Sequence, residues 1–223
     1  MIGFDKVAHD FGSGALLAGI SLELAAGSFH FLTGPSGAGK STFLKLCYGE
    51  LTATSGRVSF QGEDMSRMSR DGIALMRREI GVVHQDCQFL DHLTLAENVA
   101  LPLAVAGRRT DPGELAELLG WVGLSKQAQA LPPTLSGGER QRGALARAVI
   151  MSPRILLADE PSGKLDHDMS MRLLTLLVEL NRMGTTIMVA THDLALIRAA
   201  KTQVSARVLR IKDRRLHPAG AEL

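Results

Sequence analysis

Apolar residues recur along this chain in two rhythms. ISLELAAG (Ile20 to Gly27) alternates apolar with polar positions and stops at a turn glycine, which predicts an antiparallel strand with one solvated face. FHFLTG (Phe29 to Gly34), RILLAD (Arg154 to Asp159) and TTIMVAT (Thr185 to Thr191) are nearly all apolar, as strands buried on both faces of a parallel sheet are. Between them the spacing turns helical. Phe43, Leu44, Leu46 and Cys47 share a face in STFLKLCYG, a second helix lies within RMSRDGIALMRREI, and GGERQRGALARAVIM turns Leu145, Val149 and Ile150 inward.

Short strands are expected at GRVSFQG (Gly56 to Gly62) and IGVVHQD (Ile80 to Asp86), with a closing hairpin about Lys212 and Asp213. From about Phe89 to Leu131 the chain reads as short helices, one in TLAENVALPLAV and one in DPGELAELLGWVGL with Asp111 as N-cap and Pro112 in the first turn. Strands alternating with helices predict an α/β fold: a mostly parallel sheet with right-handed crossovers and an antiparallel β edge. One domain over residues 1–223 is expected, with residues 1–88 and 152–223 as its core and residues 89–151 as an inserted helical subdomain.

Composition narrows the function classes. Lys plus Arg number 25 against 23 Asp plus Glu, and 4% of residues are aromatic. A nucleic-acid reader would carry a basic stripe and stacking aromatics, so no nucleic-acid partner is expected. Cys47 and Cys87 show neither metal-ligand nor disulfide spacing, which fits a reducing cytoplasm. The first 30 residues lack a signal-peptide pattern, and VALPLAVAG (Val99 to Gly107), the most apolar stretch, is too short to span a bilayer. Any membrane role is therefore expected to run through a partner.

GPSGAGKST, made of Gly34, Pro35, Ser36, Gly37, Ala38, Gly39, Lys40, Ser41 and Thr42, sits between a predicted strand and a predicted helix and fits the phosphate-loop pattern G-x-x-x-x-G-K-[ST]. Its glycines let backbone N–H groups wrap phosphates, the helix start adds partial positive charge, Lys40 reaches the β and γ oxygens, and Ser41 holds Mg²⁺. LLADE ends an apolar strand in two acids beside that loop. Asp159 is assigned to Mg²⁺ through its water shell, and Glu160 to the attacking water as general base. His192, at another strand end, is either a γ-phosphate contact or a solvated loop residue; Gln85 either joins the Mg²⁺ shell or is a surface glutamine. LSGGERQR (Leu135 to Arg142) adds a second glycine pair at a helix start, a second anion site that one copy of the chain does not need.

In order, GPSGAGKST, Gln85, LSGGE, LLADEP, SGKLD and His192 resemble the ATP-binding cassette (ABC) ATPases, over nearly the whole chain. The resemblance implies the P-loop NTPase fold of that family, ATP and Mg²⁺ as ligands, and hydrolysis of ATP to ADP and phosphate. It also implies a homodimer closing head to tail on ATP. Ser136, Gly137, Gly138 and Glu139 of one copy would contact the γ-phosphate held by Lys40 of the other, and Asp166 would face the other copy's phosphate loop. Phe11 would stack on adenine, or else is a core residue. Phe11 stands where the family usually has tyrosine, His84 replaces the common aromatic before Gln85, and Lys164 occupies a position that is often asparagine or alanine.

Within the family, FLTGPSGAGKST and ENVALPL look most like the cell-division cassettes of the FtsE type. That likeness implies an integral membrane partner of the FtsX type, a peripheral location on the cytoplasmic face of the bacterial inner membrane, and control of septal peptidoglycan hydrolysis. A transporter motor for lipoprotein release or small-molecule export is the alternative, and a soluble non-transport cassette the third reading. Phe89, Leu90 and Leu93 either line a groove for the partner or pack the subdomain core.

Overall fold

The nearly continuous apolar runs become neighbours in one sheet. In the computed structural model, which describes residues 1–12, 14–163 and 165–219, β3 (Phe29–Thr33), β8 (Thr186–Ala190) and β7 (Ile155–Asp159) lie side by side. β6 (Ile80–Val83) and β9 (Ala206–Lys212) flank them in parallel, and β10 (Arg215–Pro218) returns antiparallel on β9, giving the order β10-β9-β3-β8-β7-β6. Alternate residues of the central strands enter different cores. Phe29, Phe31, Leu156, Ala158, Ile187 and Val189 join one cluster, while Leu32, Ile155, Leu157, Met188 and Ala190 join the other. Strands with two dry faces favour apolar residues at nearly every position, hence the missing alternation; His30 and Thr186 are buried polar exceptions, each hydrogen-bonded.

One of these cores is covered by α5 (Gly137–Val149), α6 (His167–Arg182) and α7 (Leu194–Lys201). The other is closed by α1 (Lys40–Cys47), by Met76 of α2 (Arg70–Arg78) and by an antiparallel sheet of order β2-β1-β4-β5. Its strands are β1 (Ile2–Asp10), β2 (Ala15–Leu24), β4 (Ser55–Phe60) and β5 (Glu63–Asp64). β1 buries Ile2, Phe4, Val7 and His9, a spacing whose parity breaks between Phe4 and Val7. A register irregularity and left-handed Lys6 (φ 49°) fall there, so a bulge returns Val7 to the core face and hides the strand from a period-two reading.

α3 (Leu95–Val105), α4 (Pro112–Trp121) and α5 enclose a third cluster that includes Leu95, Val99, Leu119, Leu124 and Ala146. Thr94 and Glu97 form a capping box at the start of α3; Asp111 caps α4 with Pro112 in its first turn. α5 packs on two sides at once, which explains its small residues: a Cβ on Gly143 would lie 2.7 Å from Cδ1 of Leu95. Among the described residues no helix is long and apolar enough to cross a membrane.

Candidate nucleotide-binding site

The chain leaves β3 at Thr33 and enters α1 at Lys40, and the turn between them is shaped by three left-handed glycines, Gly34, Gly37 and Gly39 (φ 151°, 75° and 100°). Gly39 also has no room for a side chain, since a Cβ there would approach Cδ2 of Leu17 to 2.9 Å. Helices α2 to α7 all start on a side-chain cap, from Ser69, Thr94, Asp111, Ser136, Asp166 and Asp193 respectively. α1 starts on Gly39 with no side-chain cap. The first N–H groups of a helix need acceptors from outside it, and here no side chain among the described residues caps them. That end is prepared for an anion.

Charged groups converge on it. Nζ of Lys40 donates to the carbonyl oxygens of Gly34 (3.1 Å) and Pro35 (3.3 Å) and stands 3.9 Å from Oε1 of Glu160. Glu160 follows β7 in a left-handed conformation (φ 48°), while its N–H donates to the Ala190 carbonyl at 2.8 Å. That backbone costs a non-glycine residue on the order of 1 kcal/mol. It swings the carboxylate off the line of the strand to meet both Lys40 and His192, whose Nδ1 lies 3.0 Å from Oε2. Asp159, one residue earlier, is hydrogen-bonded to Ser41. Burial raises its carboxyl above the usual range; the Ser41 bond opposes this, the neighbouring Glu160 adds to it, and Lys40 and His84 draw it down.

The donor set fits a hard divalent cation. A hydroxyl and a carboxylate meet beside an anion cradle, and no group of three or more His, Cys, Asp or Glu able to cage a metal occurs among the described residues. Such a pair suits an ion that takes the rest of its shell from phosphate and water, as Mg²⁺ does.

Ser136, Gly137, Gly138 and Glu139 lie at the start of α5. There the Ser136 hydroxyl and Glu139 form a capping box: Glu139 Oε2 accepts from the Ser136 N–H (2.8 Å) and hydroxyl (2.7 Å), while the Glu139 N–H donates to Ser136 Oγ (3.3 Å). These bonds hold the Glu139 carboxyl below the usual range. Leu165 packs beside Gly138, and Asp166 caps α6 by accepting from the Met169 N–H at 2.8 Å. Among the described residues, no hydrogen bond or ion pair links these five positions to Lys40, Asp159, Glu160 or His192. Gln85 is exposed in the turn after β6, which ends at Val83 rather than at Asp86. Phe11 is 61% exposed just beyond β1, so it is no core residue. Lys164 lies outside the described residues.

A family model described as "ABC transporter" matches residues 17–163. The chain belongs to this family of ATPases. A cell division ATP-binding protein FtsE of Haemophilus influenzae is 45% identical over 201 residues, covering 88% of this chain and 92% of the relative. The protein of that name from Escherichia coli (strain K12) is 41% identical over 220 residues, 97% of each chain. Among solved structures, the cassette MJ0796, in a dimeric post-hydrolysis state bound to ADP and Pi, has a TM-score of 0.87 at 31% identity over 98% of both chains. A second dimeric structure of MJ0796, described as a bacterial ABC transporter cassette, has a TM-score of 0.88 at 33% identity over 97% of both.

Two features of this cassette escape sequence reading. Arg147, one arginine among several on α5, reaches the segment after Gln85 and donates to the carbonyls of Cys87 (2.6 Å) and Gln88 (2.8 Å), both residues being left-handed. Its guanidinium also lies 4.7 Å from the centre of the Phe89 ring, which fixes Phe89 between the sheet core and the helical core. The neighbouring groove, about 660 Å³, is lined by other residues, including Arg77, Ile80, Leu101, Val105, Arg147 and Met151, and not by Phe89, Leu90 or Leu93. No spacing rule connects residue 147 to residue 87; only the packing of α5 against β6 does.

Proposed function

We propose that this cassette binds MgATP at the start of α1 and hydrolyses it through Glu160 while two copies of the chain close on the nucleotide. The carrying observation is the contrast between α1 and the six side-chain-capped helices, together with Lys40, Ser41, Asp159 and Glu160 gathered around that one uncapped end. Backbone N–H groups between Ser36 and Thr42 cradle the phosphates, and Lys40 exchanges the Gly34 and Pro35 carbonyls for phosphate oxygens. Ser41 and Asp159 would hold Mg²⁺, with Gln85 joining its shell, and the ion would supply positive charge against the triphosphate. Glu160 takes a proton from the attacking water, and His192 keeps the carboxylate aimed.

Phe11 stacks on the adenine ring. Ser136, Gly137, Gly138 and Glu139 serve the nucleotide of the second copy, and Asp166 faces its phosphate loop. Support for this comes from their separation from the Lys40 cluster within one chain and from the dimeric state of the two MJ0796 structures. Residues 89–151 act as the helical subdomain that presents Ser136, on a core made of residues 1–88 and 152–223.

Relatives named for cell division support a role there, with ATP-driven closure transmitted to an FtsX-like membrane partner to control septal peptidoglycan hydrolysis. The partner would seat on the groove beside β6 and hold the cassette peripherally at the cytoplasmic face of the inner membrane. The test of the site is Glu160→Gln. It is expected to bind ATP, to release phosphate more than about 100-fold more slowly, and to accumulate as an ATP-bound dimer in size-exclusion chromatography. Unchanged turnover would remove Glu160 from its role.

A further inference from the structure

The exposed Phe11 ring is not left loose. It meets the ring of His9 at 82° with centroids 4.6 Å apart. His9 is buried, and its Nδ1 lies 3.0 Å from the carbonyl oxygen of Thr52, in the segment that follows α1. A carbonyl only accepts, so Nδ1 carries the hydrogen and the imidazole is tethered in one orientation. Among the described residues, Nε2 is buried without a hydrogen-bond partner. Burying a polar atom that gains no bond is unfavourable, and an apolar side chain would fill a core position without that cost. The ring at this position thus both anchors on Thr52 and packs on Phe11.

The strand pair sets His9 next to the residue that covers the phosphate loop. His9 stands opposite Leu17 in the β1–β2 register, and Leu17 lies directly over Gly39. Beyond Phe11, Oδ1 of Asp10 accepts from the N–H groups of Gly12 (2.6 Å) and Gly14 (3.1 Å), which curls the turn and keeps Phe11 at its edge.

We propose that His9 is the positioning residue of the base-stacking platform: packed edge to face with Phe11 and anchored on Thr52, it pre-sets the Phe11 ring for adenine and so raises nucleotide affinity without touching the phosphates. An exposed aromatic free to rotate loses that freedom on stacking, and a ring already held does not. The inference rests on the reading of Phe11 as the adenine contact.

The test compares equilibrium binding of MgATP and of magnesium tripolyphosphate, which has the phosphates but no base, to the purified full chain. Phe11→Ala, His9→Ala, His9→Phe and the Phe11→Ala/His9→Ala double variant are measured, with thermal unfolding to establish that each is folded. His9→Ala is expected to weaken ATP about threefold to tenfold, the span of one aromatic pair, and to leave tripolyphosphate unchanged. His9→Phe keeps a ring beside Phe11 but loses the Thr52 anchor, and is expected to recover part of the loss. In the double variant, loss of His9 is expected to add less than about twofold to the loss of Phe11, because the two act as one unit. Equal weakening of both ligands, no recovery in His9→Phe, or multiplying effects in the double variant would overturn the role of His9. If Phe11→Ala leaves the ratio of ATP to tripolyphosphate affinity unchanged, the stacking assignment of Phe11 fails and takes the inference with it.

Discussion

Nδ1 of His192 stands 3.0 Å from one oxygen of Glu160, and Nζ of Lys40 stands 3.9 Å from the other. In the proposed site one carboxylate is thus shared between a group that aims it and a group that also faces the phosphates. Removing either neighbour should have a different signature. His192→Ala is expected to lower kcat by about 10- to 100-fold with ATP affinity changed less than about threefold, since it loses orientation and no phosphate charge. Lys40→Ala is expected to abolish ATP binding itself. Phosphate-release kinetics and equilibrium binding, measured on the same preparations, separate the two.

Because the phosphate loop and Ser136 are not joined within one chain, a defect in each should be rescued by mixing. Lys40→Ala destroys one half of a sandwiched site and Ser136→Arg the other. Each variant alone is expected to be inactive. A mixture forms some dimers in which the intact loop of one copy meets the intact Ser136 of the other, so about a quarter of parental activity should return at equal concentrations if subunits pair at random and each site works independently. No recovery at any ratio would argue against the sandwich. Ser136→Arg also removes the hydroxyl of the capping box with Glu139, a loss of about 1 kcal/mol at the start of α5, so thermal unfolding of each variant accompanies the assay.

Asp159 should set a pH-dependent cost. Its folded-state pKa lies above the unfolded one, chiefly through burial. Between those two values the folded chain keeps a proton that the unfolded chain releases, so stability falls as pH rises through that window and stays lowered above it. Asp159→Asn is expected to raise the urea midpoint at pH 7 by the equivalent of about 1 kcal/mol and to abolish Mg²⁺-dependent turnover. The gain should vanish at pH values below the ordinary carboxylate range. A variant less stable than the parent at pH 7 would mean that the Ser41 and Lys40 contacts outweigh burial.

Val105 tests the groove. It is 75% exposed and lines the cleft beside β6, so aspartate there costs the fold little. Val105→Asp is expected to leave the thermal midpoint and basal ATP turnover unchanged while preventing co-purification with the proposed FtsX-like membrane partner. Co-purification at the parental level would exclude this groove as the seat.

Legibility differed from element to element for reasons of length scale. Central strands such as β7 and β8 are plain because burial on both faces leaves a short run that is apolar except at its ends, Asp159 and Thr186. β1 is not, because a bulge at Lys6 shifts its periodicity. The cap of α4 by Asp111 was readable from three adjacent residues; β6 was overextended because His84 to Asp86 continue the strand in composition but turn in space. At the site, GPSGAGKST stands out as a contiguous pattern. The His9 ring beside Phe11 and the Arg147 clamp on the Gln85 segment leave no such trace, since His9 reads as one more strand position and Arg147 as one more helix arginine.

What the sequence determined by itself is therefore whatever depends on neighbours along the chain: the glycines that let the backbone turn into α1, the acids ending an apolar strand, and the serine and glutamate that box the start of α5. Tertiary structure alone decided which of these face one another. Ser41 meets Asp159 and Lys40 meets Glu160 because β3 and β7 lie on either side of β8 and end at the same edge of the sheet, bringing residues about 120 positions apart within bonding reach. Strand order is set by how whole faces pack and not by any local pattern, so that juxtaposition is a property of the assembled core.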